Sequence, residues 1–187
     1  MTQAIIFLHG KQADKDNPKY EIVKNIAKKR NAELIGINAP LPYKSGFMWF
    51  DKVNRLGEEA VREQFNYSLN YLLSEINEII KERNLTFDNL ILSGHSQGGF
   101  MAAYLGITYG AKEVITICSD YPQSFDKPKN LRKDVLINWV EAGKEDYLSQ
   151  DRIESYKRLI GWGCNLKHLV DANSTHNDLS HTIVDLL

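Results

Sequence analysis

The chain has 187 residues, 43% of them apolar, 10% aromatic and 25% charged, a composition that fits one globular domain with a sizeable core and excludes disordered or collagen-like chains. Its 23 Lys and Arg stand against 24 Asp and Glu for a formal net charge of −1, and the basic residues are scattered, so no nucleic-acid partner is expected. Two cysteines, Cys118 and Cys164, form neither a CxxC nor a metal-ligand spacing, which excludes a disulfide scaffold and points to a reducing, cytoplasmic compartment. The N-terminus lacks the basic start and long apolar run of a signal peptide, and no segment is long enough to span a bilayer.

Short apolar runs rich in Ile, Val and Leu fall at residues 4–8, 34–38, 89–92, 114–118, 135–140 and 166–170. They are continuous rather than alternating, as expected of strands covered on both faces. Between them, residues 18–30, 58–83, 98–109, 149–162 and 178–187 carry helical periodicity; in the longest, Val61, Phe65, Leu69, Leu72, Ile76 and Ile80 recur at three- and four-residue steps. Strand and helix alternating at this repeat predict a single α/β domain over residues 1–187, built on a mostly parallel, doubly wound sheet of about six strands. Residues 39–51 (APLPYKSGFMWFD) follow neither period and read as a long surface loop with an apolar inner side, placed to line a ligand site. Residues 119–133, with Pro122 and Pro128, read as a polar crossover.

The run at 89–92 leads into Ser93-Gly94-His95-Ser96-Gln97-Gly98-Gly99 and then a helical stretch. This is G-x-S-x-G in a strand, turn, helix context, which aims a serine hydroxyl at solvent from a strained turn and sets it at a helix N-terminus. Ser96 is therefore the candidate nucleophile. A serine hydroxyl is weak at neutral pH and needs a base oriented by a carboxylate. In this arrangement acid and then histidine follow the nucleophile along the chain, each on a loop after a later strand. The fifth run ends in Glu141-Ala142-Gly143-Lys144-Glu145-Asp146, where Asp146, beyond the glycine turn, is the candidate acid, and Glu141 and Glu145 read as solvated loop carboxylates. The sixth ends in Asp171-Ala172-Asn173-Ser174-Thr175-His176, and His176 is the candidate base. His181 competes with it but falls within the last helical stretch; His168 lies inside a strand and reads as structural, and His95 as a supporting residue. The oxyanion donors expected are the backbone N–H of Gln97 and that of Lys11, in the loop His9-Gly10-Lys11 after the first strand.

With these residues placed, the chain resembles the serine α/β-hydrolases of the carboxylesterase/phospholipase branch, which includes acyl-protein thioesterases. The resemblance runs from Ile5-Ile6-Phe7-Leu8-His9-Gly10 through Ala39-Pro40, Trp49-Phe50-Asp51 and the Ser96 turn to Gly143–Asp146 and His176. It implies cleavage of carboxylic esters or thioesters through an acyl-serine intermediate, without metal or organic cofactor, on a small-molecule substrate. It also implies that Met48, Trp49 and Phe50 touch the acyl group. The chain departs from the family in three ways: Lys11-Gln12-Ala13-Asp14 lacks the family's glycine, position 95 is His, and only 11 residues follow His176. Amide hydrolysis by the same residues, or a non-catalytic acyl-binding module, are the alternative readings. The length leaves no room for a cap domain, so an open cleft is expected.

Overall fold

A computed structural model describes residues 3–17, 20–144 and 150–187. Six strands form one parallel sheet: β1 (Gln3–Leu8), β2 (Ala32–Ile37), β5 (Leu90–His95), β6 (Glu113–Ile117), β7 (Leu136–Ala142) and β8 (Asn165–Asp171), in spatial order β2-β1-β5-β6-β7-β8. Period-two alternation sends Ala4, Ile6 and Leu8 of β1 to one face and Ile5 and Phe7 to the other, and both sets are buried. The first face is covered by α3 (Glu58–Arg83), α4 (Gln97–Tyr109) and Leu159 of α5 (Gln150–Gly161). The second is covered by α1 (Glu21–Lys29) and Ile183 of α6 (Thr182–Leu186). Burial on both sides is the physical cause of the continuous apolar runs.

The chain reverses its direction of winding between β2 and β5, which lie on opposite sides of β1. The carboxyl ends of β1 and β5 flank that reversal, where open α/β sheets bind ligands. Register puts Leu8 beside Gly94, so the loop after β1 and the turn after β5 emerge next to each other.

Three local readings of the sequence are corrected. Residues 39–51 are not a plain loop: β3 (Leu41–Tyr43) and β4 (Gly46–Met48) pair as an antiparallel hairpin, followed by the short α2 (Val53–Leu56). Strands of three residues, one of them broken by Pro42, are too short to show a period. The last helix starts at Thr182 rather than 178, because Ser174 and Thr182 hydroxyls and the Asn173 N–H turn onto the Asp171 carboxylate instead of joining a helix. Glu141 is not a solvated loop acid: it lies inside β7, 2% exposed, with Trp139 Nε1 donating to it at 2.5 Å and Arg152 paired to it at 3.1 Å. Glu145 and Asp146 lie outside the described residues.

The Asp171 staple fixes the loop that carries His176. Gly143 N–H donates to the Asp171 carbonyl at 2.8 Å, Lys144 N–H to the Ser174 carbonyl at 3.1 Å, and Ser180 N–H to Ser174 Oγ at 2.7 Å. Burial works to raise the Asp171 carboxyl, but hydrogen bonds from Ser174, Thr182 and Asn173 outweigh it and hold the group below its ordinary 3.8. A depressed carboxylate adds stability that is complete above about pH 4 and is lost as the pH falls through the lower folded value. Asp171→Ala is therefore expected to cost about 2 kcal/mol at neutral pH and much less near pH 2, as measured by urea unfolding at both. Gly98→Ala should cost about 3 kcal/mol or more by the same measurement, since a Cβ there would overlap the Leu8 carbonyl oxygen.

Candidate active site

Ser96 stands between β5 and α4 with φ 53° and ψ −120°, a conformation that L residues rarely adopt. Neighbours hold it there. Ser96 N–H donates to the Ile117 carbonyl at 2.9 Å, and the Ser96 carbonyl accepts from Gly99 N–H at 2.9 Å and Ser119 Oγ at 2.8 Å. The turn closes because Gly94 and Gly98 lack side chains: a Cβ on Gly94 would overlap the Gly98 carbonyl. Ser96 Oγ faces a cavity of about 420 Å³ and makes no hydrogen bond among the described residues.

Gln97, the next residue, ties the cavity's second wall to the turn. Its Oε1 accepts from Trp49 N–H at 2.9 Å and its Nε2 donates to the Phe50 carbonyl at 2.6 Å. The Trp49 indole N–H donates to the His9 carbonyl at 2.9 Å, and Ser68 Oγ donates to the Trp49 carbonyl. Trp49 is fully buried and Met48 nearly so, and both brace the site; of the three residues expected to touch an acyl group, Phe50 alone lines the cavity among the described residues. Sequence spacing could not separate a wall residue from the residues behind it.

The loop after β1 is held as firmly. His9 Nε2 accepts from Ala39 N–H at 2.9 Å, which leaves Nδ1 as the donor to the Gly10 carbonyl at 2.8 Å. Gly10 N–H donates to the Tyr20 hydroxyl at 3.0 Å, and burial pushes that hydroxyl up to about 12, so it stays neutral. Gln12 occupies the place of the missing glycine with φ 67°, and its N–H pairs with the Phe47 carbonyl at 2.8 Å. Pairing with β4 thus enforces a turn that glycine would have made without strain. The N–H groups of Lys11 and Gln97 take part in no turn, loop or cap hydrogen bond among the described residues, and both residues line the cavity.

Phe50, Val53, Val61, Phe100 and Phe125 form an apolar wall, and Lys11, Asp51, Lys52, Asp120 and Asp151 a charged one. Lys11 Nζ pairs with Asp51 at 2.5 Å and lies 4.3 Å from the Tyr43 ring centre. Burial works to raise Asp51, but the Lys11 hydrogen bond, the Lys52 N–H and the charges of Lys11 and Arg55 outweigh it and hold the carboxyl low. Asp120 is pushed up, chiefly by burial.

His176 comes to the far side of the turn. His95 Nε2 donates to the His176 carbonyl at 2.8 Å, and the two rings lie 4.9 Å apart. Arg152 Nη2 lies 2.9 Å from His176 Nδ1. His181 is placed elsewhere, at the start of α6 with Nδ1 3.5 Å from Asn25 Nδ2 of α1. His168, on the edge strand, has its ring centre 4.9 Å from that of Tyr156, the two rings tilted by 41°. Arg152 and Glu141 are the site residues that the sequence did not single out; a buried arginine 11 positions after a strand-end glutamate leaves no local signature. His95, Cys118 and His176 bring candidate metal donors within 4.8 Å of one another, but the Arg152 guanidinium against His176 sets a fixed positive charge where a cation would sit, so the set does not fit a metal. No helix among the described residues is long and apolar enough to cross a membrane.

No curated protein sequence matches the chain. Similar solved structures include esterase PE8, with a TM-score of 0.81 at 18% identity over 99% of this chain and 89% of that one. Another is a carboxylesterase from Mesorhizobium loti, with a TM-score of 0.75 at 14% identity over 98% and 85%. The Bacillus cereus carboxylesterase gives 0.75 at 18% identity over 99% and 85%. At such identities the likeness speaks for the fold, an α/β-hydrolase sheet. The family model for phospholipases and carboxylesterases matches residues 1–137, the stretch that contains His9-Gly10, Trp49-Phe50-Asp51 and the Ser96 turn. By that match the chain belongs to the phospholipase/carboxylesterase family of hydrolases.

Proposed function

We propose that the protein is a serine esterase that cleaves carboxylic esters or thioesters of small or acyl-chain substrates, with Ser96 as nucleophile, His176 as general base and Asp146 as the acid that orients it. The observation that carries this reading is the strained Ser96 turn, which opens its hydroxyl onto a cavity also lined by Lys11 and Gln97, whose N–H groups take part in no turn, loop or cap hydrogen bond among the described residues. Strain of this kind persists only where the surroundings over-determine it, and it gathers at reacting groups.

In the first step Ser96 Oγ attacks the carbonyl carbon while its proton passes to the His176 ring. The oxyanion that forms is held by the N–H groups of Lys11 and Gln97, the latter at the N-terminus of α4. The tetrahedral intermediate collapses with cleavage of the C–O or C–S bond, and the leaving alcohol or thiol takes the proton from the imidazolium. Water then attacks the acyl-serine with His176 again as base, releasing the acid and restoring Ser96. Resting geometries often lack the serine–histidine hydrogen bond, which tightens when substrate fills the site.

The apolar wall suits an acyl group and the open cleft a variable leaving group. Phe125 sits 4.6 Å from Phe65 and 4.8 Å from Phe100 by ring centres, and it separates the Ser96 cavity from a second one of about 370 Å³. Chain length should therefore be capped by Phe125.

Ser96→Ala is expected to lower p-nitrophenyl acetate hydrolysis by 10³-fold or more, on the order seen when a nucleophile is removed, and to abolish labelling by a fluorophosphonate probe with the circular dichroism spectrum unchanged. Full labelling or turnover in that variant would overturn the assignment, and a wild-type chain that never labels would favour the acyl-binding module. Phe125→Ala should move the optimum in a p-nitrophenyl ester series toward longer acyl chains, by opening the second cavity.

A further inference from the structure

The charges around the Ser96 cavity are segregated by element. Lys11 comes from the loop after β1 and Lys52 from the segment before α2, whereas Asp120 follows β6 and Asp151 belongs to the first turn of α5. The cationic side extends beyond the cavity wall. Around the Tyr43 ring centre lie Lys11 Nζ at 4.3 Å, Lys44 Nζ at 5.6 Å and the Arg55 guanidinium carbon at 5.9 Å, and Arg55 Nη1 donates to the Tyr43 hydroxyl at 3.2 Å. Asp51 is the carboxylate that pairs with this group among the described residues, with Lys11 at 2.5 Å and Arg55 at 3.3 Å. Lys11, Lys44, Lys52 and Arg55 thus give this side of the mouth a positive excess in a chain whose net charge is −1.

Asp51 does not use up the Lys11 ammonium. An ammonium carries three N–H donors, and the Asp51 carboxylate takes one of those on Lys11. That carboxylate has support besides Lys11, from Lys52 N–H at 2.8 Å and from Arg55. The Lys11 side chain keeps 20% of its surface exposed and lines the cavity. The Lys52 side chain lines it as well, is exposed, and makes no ion pair among the described residues.

Phe50, Phe100 and Phe125 account for the acyl group, which leaves the charged side of the same cavity to the other half of the ester. We propose that the site selects esters or thioesters whose leaving alcohol or thiol carries a carboxylate, received by the ammonium groups of Lys11 and Lys52. The inference rests on the reading of Ser96 as an esterase nucleophile and adds the chemistry of the leaving group. One negative charge suits the site better than two, because Asp51, Asp120 and Asp151 line the same cavity and repel an anion. A cationic leaving group would meet Lys11 and Lys52 instead.

The test compares three thioacetates: that of mercaptopropionate, that of its neutral amide, mercaptopropionamide, and acetylthiocholine, which is cationic. Thiol release gives kcat/KM, each value divided by the rate of spontaneous hydrolysis in the same buffer, so that differences between the leaving thiols cancel. The wild type should prefer the carboxylate over the amide and the amide over the cation, and the preference should shrink in about 0.5 M salt. Lys52→Gln and Lys11→Met should each lower the carboxylate-to-amide ratio by roughly three- to fivefold, the scale of one partly exposed ion pair. Asp51→Asn removes the carboxylate that competes for Lys11 and should raise the ratio, a direction that mere loosening of the loop would not give. If Lys11→Met or Asp51→Asn does not fold, Lys52→Gln, at an exposed position, still decides. Equal rates for carboxylate and amide, or a preference that neither lysine variant lowers, would overturn the proposal. Calorimetric binding of the three intact thioesters to Ser96→Ala needs no turnover: if the wild type cleaves none of them, the esterase reading fails, and the order of these affinities alone decides for or against the carboxylate.

Discussion

A serine held at φ 53° between a strand and a helix is the constraint on which the rest of the site depends. An L residue there is strained, so the conformation has to be imposed by the surroundings. β6 imposes it from one side through the Ile117 carbonyl and the Ser119 hydroxyl, and the backbone of β1 presses close to Gly98 from the other. The parallel register that sets Leu8 beside Gly94 is thus more than sheet architecture. It brings the loop after β1 alongside Ser96, where the N–H groups of Lys11 and Gln97 take part in no turn, loop or cap hydrogen bond among the described residues.

From that fixed point the remaining walls are attached by polar bonds rather than by apolar contact alone. Gln97 uses both ends of its carboxamide on the backbone of Trp49 and Phe50, and the Trp49 indole reaches back to His9. One chain of hydrogen bonds therefore joins the turn, the hairpin segment and the loop after β1. Such a network is demanding because an unmade bond in a buried place costs more than a made one gains. Its merit is geometric: Phe50 is placed on the cavity while Trp49 is driven fully into the core.

The electrostatics are balanced locally even though the net charge is near zero. Asp51 is paired with Lys11 and Glu141 with Arg152, while Asp171 keeps its charge and is stabilised by hydrogen bonds from the neutral donors Asn173, Ser174 and Thr182. Two of these three carboxylates lie next to the catalytic candidates, and the third shapes the loop that delivers His176. Among the described residues the cavity is lined by charges of both signs, Lys11 and Lys52 against Asp51, Asp120 and Asp151.

Much of this is legible in the sequence alone. The six strands, the long helix at Glu58–Arg83 and the Ser96 turn follow from apolar runs, helical periodicity and glycine spacing, because burial on both sheet faces and a tight turn each restrict residue type at short range. The hairpin within residues 39–51, the late start of α6, the burial of Glu141 and its pairing with Arg152 did not show. Each depends on a partner far along the chain: β4 meets Ala13 and Gln12, Thr182 meets Asp171, Arg152 meets Glu141 and His176. Local sequence determined where a serine could be strained into place. Tertiary structure decided which aromatic residue faces the cavity, which histidine reaches the turn and which cation stands against it, because those are contacts between residues that only folding brings together.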